Sequence, residues 1–540
     1  MTKRQKEIIQ FRMTDDEIVK YYGKIENVKT LNIDDLNLDN LKKLKDIHGA
    51  YELLKKSKDY FVILSVDIDC DGLTSGYIGY RILKDILGFK VRVVIGTRTA
   101  GRGINDYVTK KILEATRGNS KVLLITADHG SNDIASYYKL KELIKDLRII
   151  VTDHHNTYSD DDVIDVKVNN HQEGSNYDNK VCGCGTLFLV LLYYIKMHNM
   201  PSNRLDKFLP YVAISTMTDR VSLLSPVNRY FVTRGIKIMN TTPDENIKHM
   251  FRVLKIRGKI SYSDLSFTIG PFLNTANRLG IEEITLQALL TTNPKRKEAL
   301  YDYLDEMNAV RKKEVNHVYN TLDYNDINAE DKVHLIEIAS EHQVAGIIAS
   351  GLNEQLNKPV ICVSSTGDSY VGSCRATGVN ILTTLKDIQK EHPGVIRKCE
   401  GHDSACGIVI EPLMLERLQE LLNEVVIRSN YSKPYVEYKL KHSDINMGLM
   451  NELLEVGPYG MDWPEVLFRV NKVKVLSFAR VDTLKFVSLE LKDGNKIHAM
   501  TKCYTKLEHD AYYDILCHLV YNSNSKREWV SLKIIEFKEA

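Results

Sequence analysis

No apolar run in this 540-residue chain approaches the roughly 20 residues that a bilayer-spanning helix needs; the longest run near a helix, Leu187 to Ile195, is less than half that length. The polar start, Met1 to Lys6, contains no signal-peptide core. These two absences predict a cytoplasmic protein that does not engage a membrane. Nine cysteines are scattered without any CxxC spacing, and Cys182-Gly-Cys184 is too close for an ordinary disulfide or a typical zinc pair. Reduced thiols are therefore expected. Neither charge sign dominates: a net charge of +2 neither demands nor excludes nucleic acid, because local charge distribution decides phosphate contacts. Internal repeats and low-complexity tracts are also missing. With 43% hydrophobic and 27% charged residues the composition is that of a globular chain rather than a disordered one, and its length suggests roughly three or four domains.

What the chain does have, from about Asp59 to Gly235, is an alternation of short apolar strands with segments of helical period. Strands are expected at Phe61–Val66, Val91–Ile95, Val122–Thr126 and Ile149–Thr152, with helices at Leu73–Leu87, Asp106–Thr116 and Ile134–Ile144. Such alternation predicts an α/β fold with a mostly parallel, doubly wound sheet. A helical stretch from Thr285 to Leu322 carries Lys295, Arg296, Lys297, Arg311, Lys312 and Lys313, read as solvated surface on a connector. A second α/β unit follows, with a strand at Val333–Ile338, a helix at Val344–Leu356, a strand at Val360–Ser364 and the Gly-rich segments Gly372–Arg375 and Gly401–Gly407. After Pro434 the pattern turns to β, at Glu465–Phe478, Val487–Leu491 and Lys496–Thr501, with the hairpin dipeptide Asp493-Gly494. A small OB-like β-barrel fits this tail.

Three of the first strands end alike. Phe61–Val66 runs into Asp67, Asp69 and Asp71 followed by Gly72; Val122–Thr126 runs into Asp128, His129 and Gly130; Ile149–Thr152 runs into Asp153, His154 and His155. Open parallel sheets place their ligand crevice at the C-terminal ends of the strands. Any one of these aspartates would more often be a helix cap, but crowded carboxylates repel one another in a medium of reduced dielectric, and divalent cations relieve that repulsion. Mixed carboxylate and imidazole ligation favours Mn²⁺, with Mg²⁺ as substitute, and the lack of a thiolate argues against structural zinc. Two ions need a bridging carboxylate, for which Asp128 is well placed, and Asp219 in Ala213–Arg220 adds a further carboxylate.

These residues resemble the four motifs of the DHH phosphoesterases, and within that family its RecJ-like branch. The motifs are Asp67-x-Asp69-x-Asp71-Gly72, Asp128-His129-Gly130, Asp153-His154-His155, and Asp219 followed by Leu223 and Asn228-Arg229. The segment Gly270–Leu279 with Arg278, the Gly372-Ser373-x-Arg375 and Gly401-His402 motifs of a DHHA1 domain, and Gly457–Trp463 extend the resemblance over about residues 55–540. Two positions depart from the pattern: Glu400 stands where a glycine is usual, and Asn277 interrupts the usual Ala-Gly-Arg ending.

The resemblance implies a DHH catalytic domain with an N-terminal extension (1–284), a connecting helical segment (285–328), a DHHA1 domain (329–429) and an OB-like nucleic-acid-binding domain (430–540). It also implies that Asp67, Asp69, Asp128, His154 and Asp219 hold two metal ions, that Asp71 and Asp153 support them, and that His155 touches the scissile phosphate. Arg102, Arg278, Gly372, Ser373, Arg375 and His402 would then bind substrate. The implied activity is processive hydrolysis of single-stranded DNA from the 5′ end to nucleoside 5′-monophosphates in DNA repair or recombination, by a monomer that works with a single-strand-binding protein or a helicase. Two alternatives remain open: a phosphodiesterase of short oligonucleotides or cyclic dinucleotides, and a non-catalytic replication scaffold.

Overall fold

The computed structural model describes residues 36–116, 118–157, 161–177, 180–322, 327–328, 330–340, 344–356, 358–377, 379–425, 437–463, 465–481, 484–502 and 507–540; for His402, Arg480, Val481 and Lys502 it describes the backbone alone. Most of the expected N-terminal extension lies outside these residues. The chain divides into one unit of residues 1–306, 436–479 and 486–540 and a second of residues 307–435 and 480–485.

In the first unit, β1 (Phe61–Val66), β2 (Lys90–Ile95), β3 (Lys121–Ala127), β4 (Asp146–Asp153) and β5 (Val166–Asn169) form a wholly parallel sheet in the order β2-β1-β3-β4-β5. The strands are continuous apolar runs because both faces are covered: Val62, Ile63 and Leu64 of β1 are fully buried. Each such side chain contributes about 1.5–3 kcal/mol by leaving water. From β1 the chain moves outward to β2 and then returns to the other side as β3, so the order reverses between β1 and β3. That reversal opens a crevice at the ends of these two strands. Register aligns those ends, pairing Val66 with Ala127, Ala127 with Thr152 and Asp153 with Asn169.

The apolar run Leu187–Ile195 lies in helix Gly183–Met197, whose residues through Ile195 are all buried. It is a core helix, and among the described residues no helix is long and apolar enough to cross a membrane. The first helix after β1 starts at Cys70, three residues before the sequence pattern suggests, because Asp69 caps it: its carboxylate accepts from the amides of Asp71 and Gly72. Gly72 serves close approach rather than a turn, since a Cβ there would lie 2.1 Å from the Asp67 carbonyl oxygen.

The expected continuous helix over 285–322 is two helices, Glu283–Leu290 and Pro294–Thr321, with Pro294 as the first residue of the second. Two of its six basic residues are buried rather than solvated. Lys297 donates to the Asn246 side chain and to the Ala288 carbonyl, and burial lowers its pKa to about 8; Arg311 binds Asn308.

The second unit carries a mixed sheet of β6 (His334–Glu337), β7 (Val360–Ser365), β8 (Tyr370–Arg375), β9 (Ile396–His402) and β10 (Ala405–Ile410), in the order β6-β7-β8-β10-β9. Back in the first unit, β11 (Glu437–Lys439), β12 (Leu467–Val481), β13 (Leu484–Glu490), β14 (Lys496–Lys502), β15 (Tyr512–Ser523) and β16 (Glu528–Glu539) follow the order β11-β12-β13-β14-β16-β15, and pairing of β12 with β15 closes a barrel. One apolar core runs unbroken from the helices packed on the parallel sheet, through Phe231 and Leu223, to Trp463, Phe468 and Ile534 of this barrel region. All eight described cysteines are buried and free, as their spacing suggests.

Candidate metal centre

The crevice between β1 and β3 collects the acidic residues of four chain segments. Asp67 leaves the end of β1, Asp128 the end of β3, Asp153 ends β4 with His154 beyond it, and Asp219 caps the C-terminus of helix Leu209–Thr218. His154 stands between two of the carboxylates, with Nε2 3.0 Å from Asp128 Oδ1 and Nδ1 3.5 Å from Asp219 Oδ2. Three sets of donor atoms lie close enough to share an ion: Asp67, Asp69 and Asp128; Asp71, His154 and Asp219; and Asp128, His154 and His155. Asp128 and His154 each belong to two of these sets, and of the two only the carboxylate has the second oxygen that a bridging ligand needs.

Backbone geometry serves this crowding. Asp128 adopts a left-handed conformation (φ +66°), and a Cβ on Gly183 would approach the Asp128 Cβ to 2.5 Å. The start of helix Gly183–Met197 can therefore press against the cluster only because residue 183 has no side chain. Its first amides then bind Asp71: Gly183 N donates to Oδ2 at 2.7 Å and Cys184 N to Oδ1 at 2.8 Å. Alternation along an extended chain would put Asp67, Asp69 and Asp71 on one face, but Asp71 is already helical. It sits in the first helical turn with both oxygens engaged by a helix N-terminus, although Oδ2 remains 3.8 Å from His154 Nε2.

Burial raises the carboxyl pKa values of Asp67, Asp128 and Asp219, and lifts that of Asp71 to about 6, with help from the charge of Asp69. The buried Asp128 Oδ2 has no hydrogen-bond partner among the described residues. Arg102 is the cation paired with the cluster, at 3.5 Å from Asp69 Oδ2 and 4.0 Å from Asp67 Oδ2, and its side chain is 59% exposed. Asp67, Asp71 and Asp128 are buried and Asp219 is half-buried, and such crowding of carboxylates favours a divalent cation among them. The donor set of carboxylates plus imidazole fits Mn²⁺ or Mg²⁺.

Asp153 behaves differently. Burial alone would raise its pKa, yet the charge of His155 and the hydrogen bond from that ring hold it well below the usual carboxylate range. It accepts from His155 Nδ1 at 2.8 Å and from the amides of His154, His155 and Ser131. In return, and against the opposing effect of burial, it raises His155 to about 9. Asp153 is therefore a support for the imidazole rather than a ligand facing the crevice.

Of the supporting residues, Asn169 and Arg98 escaped sequence reading. Asn169, at the end of β5, donates to Ser131 Oγ and to the His155 carbonyl, both at 2.8 Å. The strand-end rule applies to it, but β5 spans four residues inside a polar stretch and leaves little periodicity. His129 is buried between Ser65 Oγ (3.2 Å) and Asp133 (3.7 Å). Arg98 is a second guanidinium beside Arg102 and Asp69, its pKa lowered by desolvation and by Arg102.

Arg102 lies between Gly101 and Gly103, both at positive φ, in a loop held by the bond from Ile104 N to Asp133. Arg278 ends the short helix Thr275–Arg278 and is half-buried. In the second unit, Ser373 and Arg375 share a face of β8 over Gly346, where a Cβ would lie 3.0 Å from Arg375 Nη2 and 3.3 Å from Ser373 Oγ. Gly372 is accounted for by strand packing, because a Cβ there would meet the Cys362 carbonyl oxygen at 2.0 Å. The side chain of His402 lies outside the described residues.

Three family models match the chain in sequence: the DHH family N-terminal domain over residues 60–216, the DHHA1 domain over 331–428 and the RecJ OB domain over 436–536. The chain thus carries a DHH, a DHHA1 and a RecJ OB domain in that order. Among curated relatives, the single-stranded-DNA-specific exonuclease RecJ of Escherichia coli is 25% identical over 454 residues, covering 79% of this chain and 78% of that protein. Among solved structures, RecJ from Thermus thermophilus in complex with Mn²⁺ matches with a TM-score of 0.73 at 21% identity, covering 92% of this chain and 72% of that one. RecJ from the same organism in complex with Mg²⁺ matches with a TM-score of 0.68 at 19% identity, covering 100% and 77%. The RecJ-type architecture of DHH lobe, DHHA1 domain and OB barrel thus accounts for the sheets and barrel described above.

Proposed function

We propose that this protein is a metal-dependent exonuclease of single-stranded DNA that releases nucleoside 5′-monophosphates processively from the 5′ end, in DNA repair or recombination. The observation that carries the reading is the convergence of Asp67, Asp69, Asp128, His154 and Asp219 on one crevice, with Asp128 shared between donor sets. The OB domain match and the single-stranded-DNA-specific exonucleases among the relatives supply the substrate class.

Two Mn²⁺ or Mg²⁺ ions on those five residues would lower the pKa of a shared water and neutralise charge on the phosphate oxygens. Asp71 braces the site from the helix N-terminus. His155, oriented by its hydrogen bond to Asp153, donates to an oxygen of the scissile phosphate. Arg102, half in solvent, trades its carboxylate partners for the phosphodiester, with a planar fork suited to phosphate oxygens. Water attacks phosphorus directly and the 3′ oxygen leaves, so no covalent adduct with the protein forms.

The 5′ polarity rests on a terminal-phosphate site made by Ser373 and Arg375, whose side chains meet above Gly346 at the start of helix Ala345–Leu356. Gly372 gives this strand its close packing, and Arg278 contacts the nucleotide. We read the protein as a monomer, partnered by a helicase that exposes single strands or by a protein that coats them; size-exclusion mass measurement and co-purification check both points.

The test uses purified protein with Mn²⁺ and single-stranded DNA labelled at either end. The expected outcome is early release of a 5′ label as mononucleotide and late release of a 3′ label. Early release of the 3′ label overturns the polarity, and cleavage of dinucleotides alone overturns the exonuclease reading.

A further inference from the structure

Asn228-Arg229, the last pair of the fourth motif, does not face the crevice. Both side chains are buried and both are turned to backbone. Asn228 Nδ2 donates to the Ser222 carbonyl at 2.9 Å and to the Lys180 carbonyl at 2.8 Å. Arg229 reaches the turn that opens the barrel domain: Nη2 donates to Val456 O at 2.7 Å and Gly457 O at 2.6 Å, Nη1 to Pro458 O at 3.3 Å, and the guanidinium lies 5.9 Å from the Trp463 ring centre. Between this pair and the metal cluster runs the loop Asp219–Ser225. The barrel turn also binds that loop directly, through Leu223 N to Met461 O at 3.0 Å, and Gly460 sits so close to Leu223 that a Cβ would approach Leu223 Cδ1 to 2.9 Å.

The loop needs such bracing. Arg220, immediately after Asp219, holds a left-handed conformation (φ +58°) that a non-glycine residue adopts only when its surroundings enforce it. Asp219, the helix cap just before that reversal, lies 3.5 Å from His154. A guanidinium offers a planar fork of donors, which is what three carbonyls of one turn require.

We propose that Asn228 and Arg229 are positioning residues that clamp the Asp219 loop against the opening turn of the barrel, so that docking of the barrel sets the geometry of the metal centre. This inference rests on Asp219 belonging to that centre. It makes the barrel a structural part of the metal site in addition to a DNA-binding module, and it assigns the fourth motif two tasks: Asp219 faces the crevice while Asn228-Arg229 tie down what carries it.

The experiment measures Mn²⁺ binding to the full-length protein by titration followed with electron paramagnetic resonance, alongside kcat and KM on single-stranded DNA. Asp219→Asn is the control. Arg229→Met keeps the stem and removes the donors, Arg229→Lys keeps the charge and part of the donors, and Leu223→Ala loosens the loop without touching Arg229. The expected result is about 10–100-fold weaker binding of one Mn²⁺ in Arg229→Met, the size usual for residues behind metal ligands, a smaller loss in Arg229→Lys, and activity restored by higher Mn²⁺. A barrel needed only for DNA would raise KM and leave Mn²⁺ affinity unchanged. If Asp219→Asn leaves Mn²⁺ affinity intact, Asp219 is not part of the centre and the reading beneath falls. If Asp219→Asn weakens Mn²⁺ while the Arg229 and Leu223 variants, folded by circular dichroism, bind it as the wild type does, the clamp alone is refuted. Should Arg229→Met fail to fold, Arg229→Lys and Leu223→Ala decide the question by the same readout.

Discussion

Asp128 is central to the site: like His154 it belongs to two donor sets, it lies 3.0 Å from that imidazole, and one of its oxygens has no hydrogen-bond partner among the described residues. Asp128→Ala should abolish Mn²⁺ binding and lower kcat by about a thousandfold or more, since loss of metal assistance removes several kcal/mol of transition-state stabilisation; circular dichroism should show an intact fold. Asp153 works through another residue. Asp153→Asn should lower kcat about 10–100-fold with little change in Mn²⁺ affinity, because it deprives His155 of its orienting charge; metal titration alongside kinetics separates the two roles.

The pH dependence of the metal-free protein follows from the same group of residues. Burial raises the carboxyls of Asp67, Asp71, Asp128 and Asp219 above their unfolded values, Asp71 to about 6. The folded state therefore holds protons that the unfolded chain has already lost, so this stability is complete below the ordinary carboxyl range and disappears as pH rises through about 6. Melting in EDTA should fall between about pH 5 and pH 8, and the increase in Tm caused by Mn²⁺ should grow over the same interval. A metal-free Tm that rises with pH would contradict the charge crowding.

Among the elements, helix Gly183–Met197 and the strand ends constrain one another. Gly183→Ala would drive a methyl to 2.5 Å from Asp128 Cβ, and something must move. The expected cost is about 1–3 kcal/mol of stability, the usual size for overpacking, with loss of Mn²⁺ affinity; denaturant unfolding and metal titration measure both. The strands themselves were legible because continuous apolar runs ending in acids need no knowledge of their neighbours. Helix starts were less so: Asp69 is both the cap of its helix and a member of the metal cluster, so the rival explanations for an aspartate at a helix start hold together at one residue. Asp71 could not be placed from alternation, because its direction is set by helix Gly183–Met197 more than a hundred residues later.

For the whole molecule, the proposed single-strand specificity and 5′ polarity bring in residues outside the metal centre. Arg375→Ala should raise KM for 5′-phosphorylated strands about tenfold or more, the worth of one charge-assisted contact, and leave Mn²⁺ affinity untouched; kinetics on phosphorylated and unphosphorylated strands check this. An equal effect on both substrates would remove the terminal-phosphate assignment.

The sequence by itself determined the chemistry and the order of the domains. Periodicity shows where strands end, and residue type shows that carboxylate and imidazole gather there, both being local properties. Tertiary structure decided which of those groups face the crevice and which support it: that Asp128 is shared, that Asp153 serves His155, that Asn169 joins them, and that Arg229 grips a turn some 230 residues away. Contacts of that kind depend on which elements pack together, and the raised carboxyl pKa values depend on burial created jointly by several of them, so no local stretch of chain records either.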